Sequence, residues 1–331
     1  MMIASPRILS ILTTRRCTAA CDHCCIGASP KATTSIPVPR IHALIEEAKR
    51  LPTIERVVFT GGECFLLGND LDALIAHAHQ VEFDTRAISN GYWAVNAYAA
   101  AKRATRLATS GLDELMLSTG TFHQQFIPVE RVIHAARAAS AAGISTRISV
   151  ERCDQSDFDD SIIRTELAQQ ITEGVVAIAH DPWISDAGGR GNARLSHNRI
   201  LMHDAGYQHG GCPQILTIIS VTPDQRLTAC CGFPLEELPL LEIGSVANRP
   251  LDEVMTSAPT DLLHAWLHVA GPAGISEFVA KHLPGYRLPP SASICQACIA
   301  LQRDKVAMAV IATHGNDVAA SIATRFLQLH R

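Results

Sequence analysis

Aromatic residues are scarce in this chain: Phe, Trp and Tyr make up 5% of its 331 residues, against 47% hydrophobic residues in all. The core must therefore be packed mostly from aliphatic side chains, as in an ordinary globular protein rather than a disordered or low-complexity one. Long hydrophobic runs are also missing. Nothing approaches the roughly 18 uninterrupted apolar residues that cross a bilayer, and the run from Ile8 to Leu12 is too short for a signal-peptide core. Blocks of Lys and Arg are absent and the formal net charge is -4, which argues against a nucleic-acid or membrane-surface partner. The chain reads as cytoplasmic, where thiols stay reduced. Its 11 Cys are an odd count, below the density of a disulfide scaffold, and call for metal, redox or nucleophilic chemistry.

Length divided by roughly 150 suggests about two domains. From Arg7 to about Ile178, six short β-rich runs alternate with helical patterns, the signature of βα units around a parallel sheet. The strands are placed at Ile8 to Leu12, Arg56 to Thr60, Asp84 to Ser89, Glu114 to Ser118, Thr146 to Glu151 and Gly174 to Ile178. Helical spacing covers Pro39 to Arg50, Asp70 to His79, Asn96 to Ser110, Pro128 to Ala142 and Ser161 to Ile171. Gly188, Gly189 and Gly191 then break the pattern, which puts a domain boundary near Arg194: 1–194 and 195–331. The second part holds a hairpin, Leu216 to Val221 and Arg226 to Ala229, and helical patterns near Leu251 to Met255, Thr260 to Val269 and Lys305 to Ile311.

Cys17, Cys21 and Cys24 form a C-x3-C-x2-C run just after the first strand. One loop so short can gather three thiolates around one centre. Iron-sulfur clusters normally take four, so three leave a coordination position open. A zinc site with His23 as fourth ligand is the alternative. The run and its place after the first strand resemble the radical S-adenosylmethionine (SAM) superfamily. That resemblance implies a partial (β/α)6 TIM-like barrel and a 4Fe-4S cluster on Cys17, Cys21 and Cys24. SAM would chelate the open iron and be cleaved to a 5'-deoxyadenosyl radical.

Thr60-Gly61-Gly62-Glu63 ends the second strand, and two glycines permit close backbone approach. By the resemblance, Gly61, Gly62 and Glu63 hold the SAM amino group; a plain strand-to-helix turn is the alternative. Polar groups recur at the C-terminal ends of later strands: Ser89-Asn90-Gly91, Ser118-Thr119-Gly120 and Glu151-Arg152. In such barrels this rim carries the active site. The resemblance implies Ser89, Asn90 and Ser118 as contacts of the SAM ribose, and Arg152 or Arg190 as contacts of its carboxylate. Ordinary loop capping competes with each assignment. His123 either meets substrate or is a satisfied loop histidine.

A second set, Cys212, Cys230, Cys295 and Cys298, offers four thiolates, enough for a closed site. Its layout resembles the SPASM and twitch auxiliary-cluster domains of peptide-modifying radical SAM enzymes, implying a smaller α+β domain with an auxiliary 4Fe-4S cluster. Gln225 departs from the Gly usual at the hairpin turn. A four-thiolate zinc site is the alternative; a thioredoxin-like role for Cys295 and Cys298 is disfavoured because no βαβ pattern surrounds them.

Adjacent cysteines rarely ligate one cluster, so Cys231 beside Cys230 is left as an extra thiol, either a small buried hydrophobe or a hydrogen-atom donor. The chain is similar to the YydG-type peptide epimerases in Cys21 to Cys25, Phe59 to Glu63, Ile88 to Gly91, the Cys230-Cys231 pair and Ser293 to Cys295. That resemblance implies an isomerase acting in maturation of a ribosomal precursor peptide, with Cys231 returning hydrogen and a flavodoxin or ferredoxin as electron donor. No acidic residue stands on Leu216 to Val221, where those epimerases carry an Asp. A maturase forming thioether or carbon-carbon crosslinks is the second reading, and a zinc-bound peptide-binding protein the third. Cys25, Cys64 and Cys153 remain as buried thiols.

Overall fold

The computed structural model describes residues 5–151, 158–181, 210–230, 238–257, 261–291 and 293–329. The expected boundary near Arg194 lies outside them. Among the described residues, nine strands form one open sheet in the order β6-β5-β4-β3-β2-β1-β7-β8-β9. They are β1 (Ile8–Leu12), β2 (Arg56–Thr60), β3 (Asp84–Ser89), β4 (Glu114–Thr119), β5 (Ser145–Glu151), β6 (Val176–Asp181), β7 (Ile218–Val221), β8 (Arg226–Thr228) and β9 (Glu242–Ser245). Neighbours from β6 through β1 to β7 pair in parallel, whereas β7-β8 and β8-β9 are antiparallel.

The helices α1 (Val38–Ala48), α2 (Asn69–Gln80), α3 (Ala97–Thr109), α4 (Thr121–Gln124), α5 (Val129–Ala141), α6 (Ser161–Glu166) and α7 (Ala168–Thr172) alternate with the parallel strands. Together they make the α/β, partial-barrel architecture. Leu9, Ile11, Val57, Phe59, Ala87, Leu115, Leu117 and Ile148 are fully buried and pack in one core with Ile41, Leu44, Leu74 and Leu107 of the helices. Alternating buried and partly buried positions along β3 and β4 give the sheet a packed face and a second face turned to the cavity described below. Arg56 and Arg86 both pair with Glu114 at the strand starts, closing that end of the half-barrel with charge.

In the hairpin β7-β8, β7 pairs in parallel with β1, Ile8 against Ile218, so the sheet continues into it. β9 extends the same edge and was not foreseen. The remaining described residues include α8 (Leu251–Ser257), α9 (Leu262–His282), α10 (Ile294–Arg303), α11 (Lys305–His314) and α12 (Ala319–Leu329). A second core unites the α9 residues Trp266, Leu267, Ile275 and Val279 with Leu301, Phe326 and Ile215.

One helical expectation needs correction. The helix expected over Thr260 to Val269 runs on to His282, bent where Gly271 takes φ 64° and Pro272 follows. Pro has no N–H to continue the ladder. The segment Lys305–Leu329 is, by length and composition, apolar enough to cross a membrane. A 3-10 turn at Gly315–Val318 divides it, and Ile322 and Phe326 are buried in the second core.

Candidate active site

Thr13 and Thr14 prolong β1 beyond its paired residues and carry the chain into the cysteine loop. Thr13 N–H donates to Thr60 O (2.8 Å), Gly62 N–H to Thr14 O (2.6 Å) and Glu63 N–H to Arg16 O (2.9 Å). The glycine pair is required by this approach. A Cβ on Gly61 would lie 2.6 Å from Thr14 O, and one on Gly62 2.3 Å from Arg16 O. Both contacts are with backbone, which cannot swing aside. The far end of the loop is tied by Cys17 N–H to Ser29 O (3.1 Å) and Ser29 N–H to Arg15 O (3.1 Å).

This loop brings Cys17, Cys21 and Cys24 onto the wall of one cavity of about 350 Å³ in the half-barrel. Cys17 and Cys21 share a small satellite core with Ala19, Ala28 and Phe122, against which Cys24 packs. Cys17 Sγ accepts from Ala19 N–H (3.4 Å) and from the Asn90 amide (3.6 Å). Burial, reinforced by the Glu63 carboxylate, pushes the Cys17 thiol up to about 11. A cationic centre would reverse this balance and hold the thiolate.

The expected cofactor contacts divide into two groups. Gly61, Gly62, Ser89, Asn90 and Ser118 line the cavity with the cysteines. Ser89 Oγ also accepts from Gly91 N–H and the Trp93 indole, both at 3.1 Å. The Asn90 amide donates to Thr18 Oγ1 at 3.0 Å. Glu63, by contrast, is 1% exposed. Its carboxylate accepts Phe65 N–H (3.1 Å) and Asn90 N–H (2.9 Å), tying the ends of β2 and β3. Burial outweighs those bonds and raises its pKa from the usual 4.5 to about 7. Arg152, Arg190 and Cys231 lie outside the described residues, as does Cys153.

Glu151, at the end of β5, is the functional group that sequence reasoning named but assigned no role. Its Oε1 accepts Phe122 N–H (2.7 Å), and its Oε2 is 3.0 Å from His123 Nδ1. Gly120 makes room for it, since a Cβ there would lie 1.8 Å from Oε2. The His123 ring stands edge-on to His23, with centroids 4.8 Å apart, and His23 stacks on Phe122. His23 thus groups with His123 and Glu151, their ligand atoms within 4.8 Å of one another, rather than completing a zinc site with the thiols.

Behind the cavity, three separate segments assemble the second thiol set. Cys212 N–H donates to Leu267 O at 2.9 Å, the carbonyl that Gly271 would take in a straight helix. The bend in α9 therefore supplies the docking point for Cys212. A Cβ on Gly271 would lie 2.3 Å from Gly210 O, so the bend and the Gly210-Gly211 approach depend on each other. His264 Nε2 donates to Leu240 O, and His268 Nδ1 is 2.7 Å from Ile215 O, clamping both flanks of the hairpin. Cys230 ends the hairpin, 7% exposed.

Cys295 and Cys298 stand one turn apart in the first two turns of α10, which Ser293 caps by accepting Gln296 N–H. Sequence reasoning missed this helix, although Ser293 is an N-cap residue type. Its N-terminal N–H groups favour negative charge. Burial first, then repulsion from Cys230, Cys212, Cys298 and Cys25, holds Cys295 well above the usual thiol range. Burial and Cys230 push Cys298 up to about 12. Four thiols, two buried and two partly buried, that repel one another when ionised fit a shared cationic centre. Among the described residues, no three cysteine sulfurs lie within 4.8 Å of one another. A single tetrahedral zinc ion would hold its sulfurs roughly 3.8 Å apart.

A family model for the radical SAM superfamily matches residues 11–151. The putative peptide biosynthesis protein YydG of Bacillus subtilis (strain 168) is 27% identical over 171 residues, covering 49% of this chain and 54% of that protein. The chain thus matches about half the length of that relative. Among solved structures, Streptococcus suis SuiB bound to S-adenosylmethionine superposes with a TM-score of 0.51 at 15% identity, covering 88% of this chain and 78% of that one. The anSMEcpe structure with bound AdoMet and Kp18Cys peptide gives 0.52 at 12% identity, covering 96% and 99%. These two show a shared fold. With the cysteine loop at the end of β1 and the family match over the half-barrel, residues 11–151 of this chain are a radical SAM superfamily domain.

Proposed function

We propose that this protein is a radical SAM enzyme that modifies a ribosomal precursor peptide by converting L-residues to D-residues. The observation that carries the reading is a thiol set on the cavity wall with a second set in the core behind it, bridged by Cys25, which lines the cavity and packs against that core. Cys17, Cys21 and Cys24 line the cavity, together with Ile218 of the hairpin that leads to Cys230. Similarity to a protein named for peptide biosynthesis supports a peptide substrate.

Cys17, Cys21 and Cys24 would hold the first 4Fe-4S cluster, and Cys212, Cys230, Cys295 and Cys298 the auxiliary one. With the first cluster and SAM bound, reductive cleavage of SAM supplies a 5'-deoxyadenosyl radical that removes the Cα hydrogen of the substrate residue. Gly61, Gly62, Ser89, Asn90 and Ser118 would seat SAM, and Arg152 or Arg190 would meet its carboxylate. Cys231, next in sequence to Cys230, would return a hydrogen atom to the opposite face. A flavodoxin- or ferredoxin-type protein would supply electrons.

The His123–Glu151 pair favours a second reading. Crosslinking releases a proton from the attacking group, and a histidine oriented by a buried carboxylate on the cavity wall could accept it. Turnover of a candidate peptide in heavy water separates the two. One deuterium on a D-residue supports epimerization, and loss of two hydrogens supports crosslinking. Cys231→Ala should still cleave SAM yet yield no D-residue; normal D-product from it would remove Cys231 from the mechanism.

A further inference from the structure

Cys25 has no task in the reaction above, yet it occupies the wall between the two thiol sets. It follows Cys24 directly, and both line the main cavity. Its side chain packs against the second core, the one that contains Cys230 and Cys298 and against which Cys212 and Cys295 also pack. The placement is pinned on both sides. Arg15 donates to Ile26 O at 3.3 Å and pairs with Asp224 of the hairpin turn at 3.1 Å, while Gly27 N–H donates to Cys24 O at 3.2 Å. The loop that carries the first thiol set is thereby fastened to the hairpin that leads to the second.

We infer that Cys25 is a positioning residue of the auxiliary cluster: a fifth thiol packed on the core that holds its four ligands, one peptide unit from a ligand of the first cluster, that raises the auxiliary reduction potential. The inference rests on the cluster assignments proposed above. Two-cluster ferredoxins show the same division, where one cysteine of a contiguous run serves the other cluster. Here four thiolates already complete the second set, and Cys25, packed against their core from the cavity side, is a thiol beyond that complement. A thiol has one weak S–H donor, and hydrogen bonds to cluster sulfurs are among the levers that set a cluster's potential, since they stabilise the more negative, reduced state.

The test uses the anaerobically reconstituted full-length protein, its Cys25→Ala and Cys25→Ser variants, iron and sulfide content, and redox titration followed by electron paramagnetic resonance. SAM addition identifies the first cluster as the one whose signal responds. Cys25→Ala is expected to keep the wild-type iron content and the SAM-responsive signal, with the auxiliary midpoint shifted to more negative potential. Cys25→Ser, which restores a donor, is expected to shift it back. An unchanged midpoint in Cys25→Ala reduces Cys25 to a core thiol and overturns the inference. Loss of half the iron in both variants makes Cys25 a ligand and overturns it equally. Wild-type protein carrying zinc at the second set would instead defeat the auxiliary-cluster reading itself, whatever the variants do.

Discussion

The two thiol sets of this molecule are built in opposite ways. The first comes from one loop of eight residues, Cys17 to Cys24, held against the strand ends by backbone hydrogen bonds from Gly62 and Glu63. The second is gathered from positions 212, 230, 295 and 298, and depends on a bent helix, a hairpin end and a capped helix N-terminus arriving together. A contiguous loop needs only local geometry to bring its sulfurs together. A dispersed set needs the second core to form first, so its integrity tracks the packing of α9 and α10 rather than any single turn.

The sharpest way to break this contrast is Gly62→Ala. The new Cβ would overlap Arg16 O, a backbone atom at the root of the loop, and overpacking against backbone costs about 3 kcal/mol or more. The expected outcome is loss of the SAM-responsive signal and of about half the iron, with a lower melting temperature. Retention of the full iron content would show that the loop does not depend on its contact with the β2 end.

Glu63→Ala comes next, at about 3 kcal/mol, because it strands the buried amides of Phe65 and Asn90. Its pH signature separates it from a general packing defect. The folded-state pKa of Glu63 is raised from 4.5 to about 7, so the folded state holds a proton that the unfolded chain has lost. This contribution is fully present below pH 4.5 and is lost as pH rises to about 7. Urea unfolding of the apo-protein should show that decline, and Glu63→Ala should abolish it. A wild-type profile that is flat or rises over this interval refutes the assignment.

How far the sequence disclosed each site follows the same division. The first six strands were legible, with β1, β2 and β3 at their observed limits, because each is a short β-rich run in alternation with helical patterns. The C-x3-C-x2-C loop and Gly61-Gly62 were legible because their spacing is local. The clasp between Arg15 and Asp224, the Gly120 notch beneath Glu151 and the donation from Cys212 to Leu267 were not. Each joins residues dozens to hundreds of positions apart, and no periodicity encodes that. The bend in α9 did leave a signal, the Gly271-Pro272 dipeptide, a recognised helix breaker.

Gly271→Ala tests the dispersed site on its own. Its φ of 64° is costly for any residue with a Cβ, and that Cβ would lie 2.3 Å from Gly210 O, a penalty of about 2 kcal/mol. Straightening the helix would also return Leu267 O to the ladder and release Cys212. Iron should fall by about half while the SAM-responsive signal persists, the mirror image of Gly62→Ala. If both signals vanish together, the two sets are one cooperative unit and the contrast fails.

The smallest effect concerns the hairpin turn that both sites share through Arg15. Gln225 sits at φ 59°, a left-handed conformation, while its N–H donates to Thr222 O and its carbonyl accepts Val246 N–H. The turn is thus well bonded but strained at one residue, a conformation that Gly adopts without steric cost. Gln225→Gly relieves a steric cost of roughly 1–2 kcal/mol and adds some backbone entropy to the unfolded chain. The net expectation is a gain of about 0.5–1 kcal/mol in chemical denaturation, with iron content and both cluster signals unchanged. A loss of stability would mean that the Gln225 side chain contributes more than its backbone strain costs, and that the departure from Gly is a feature of the turn rather than a tolerated defect.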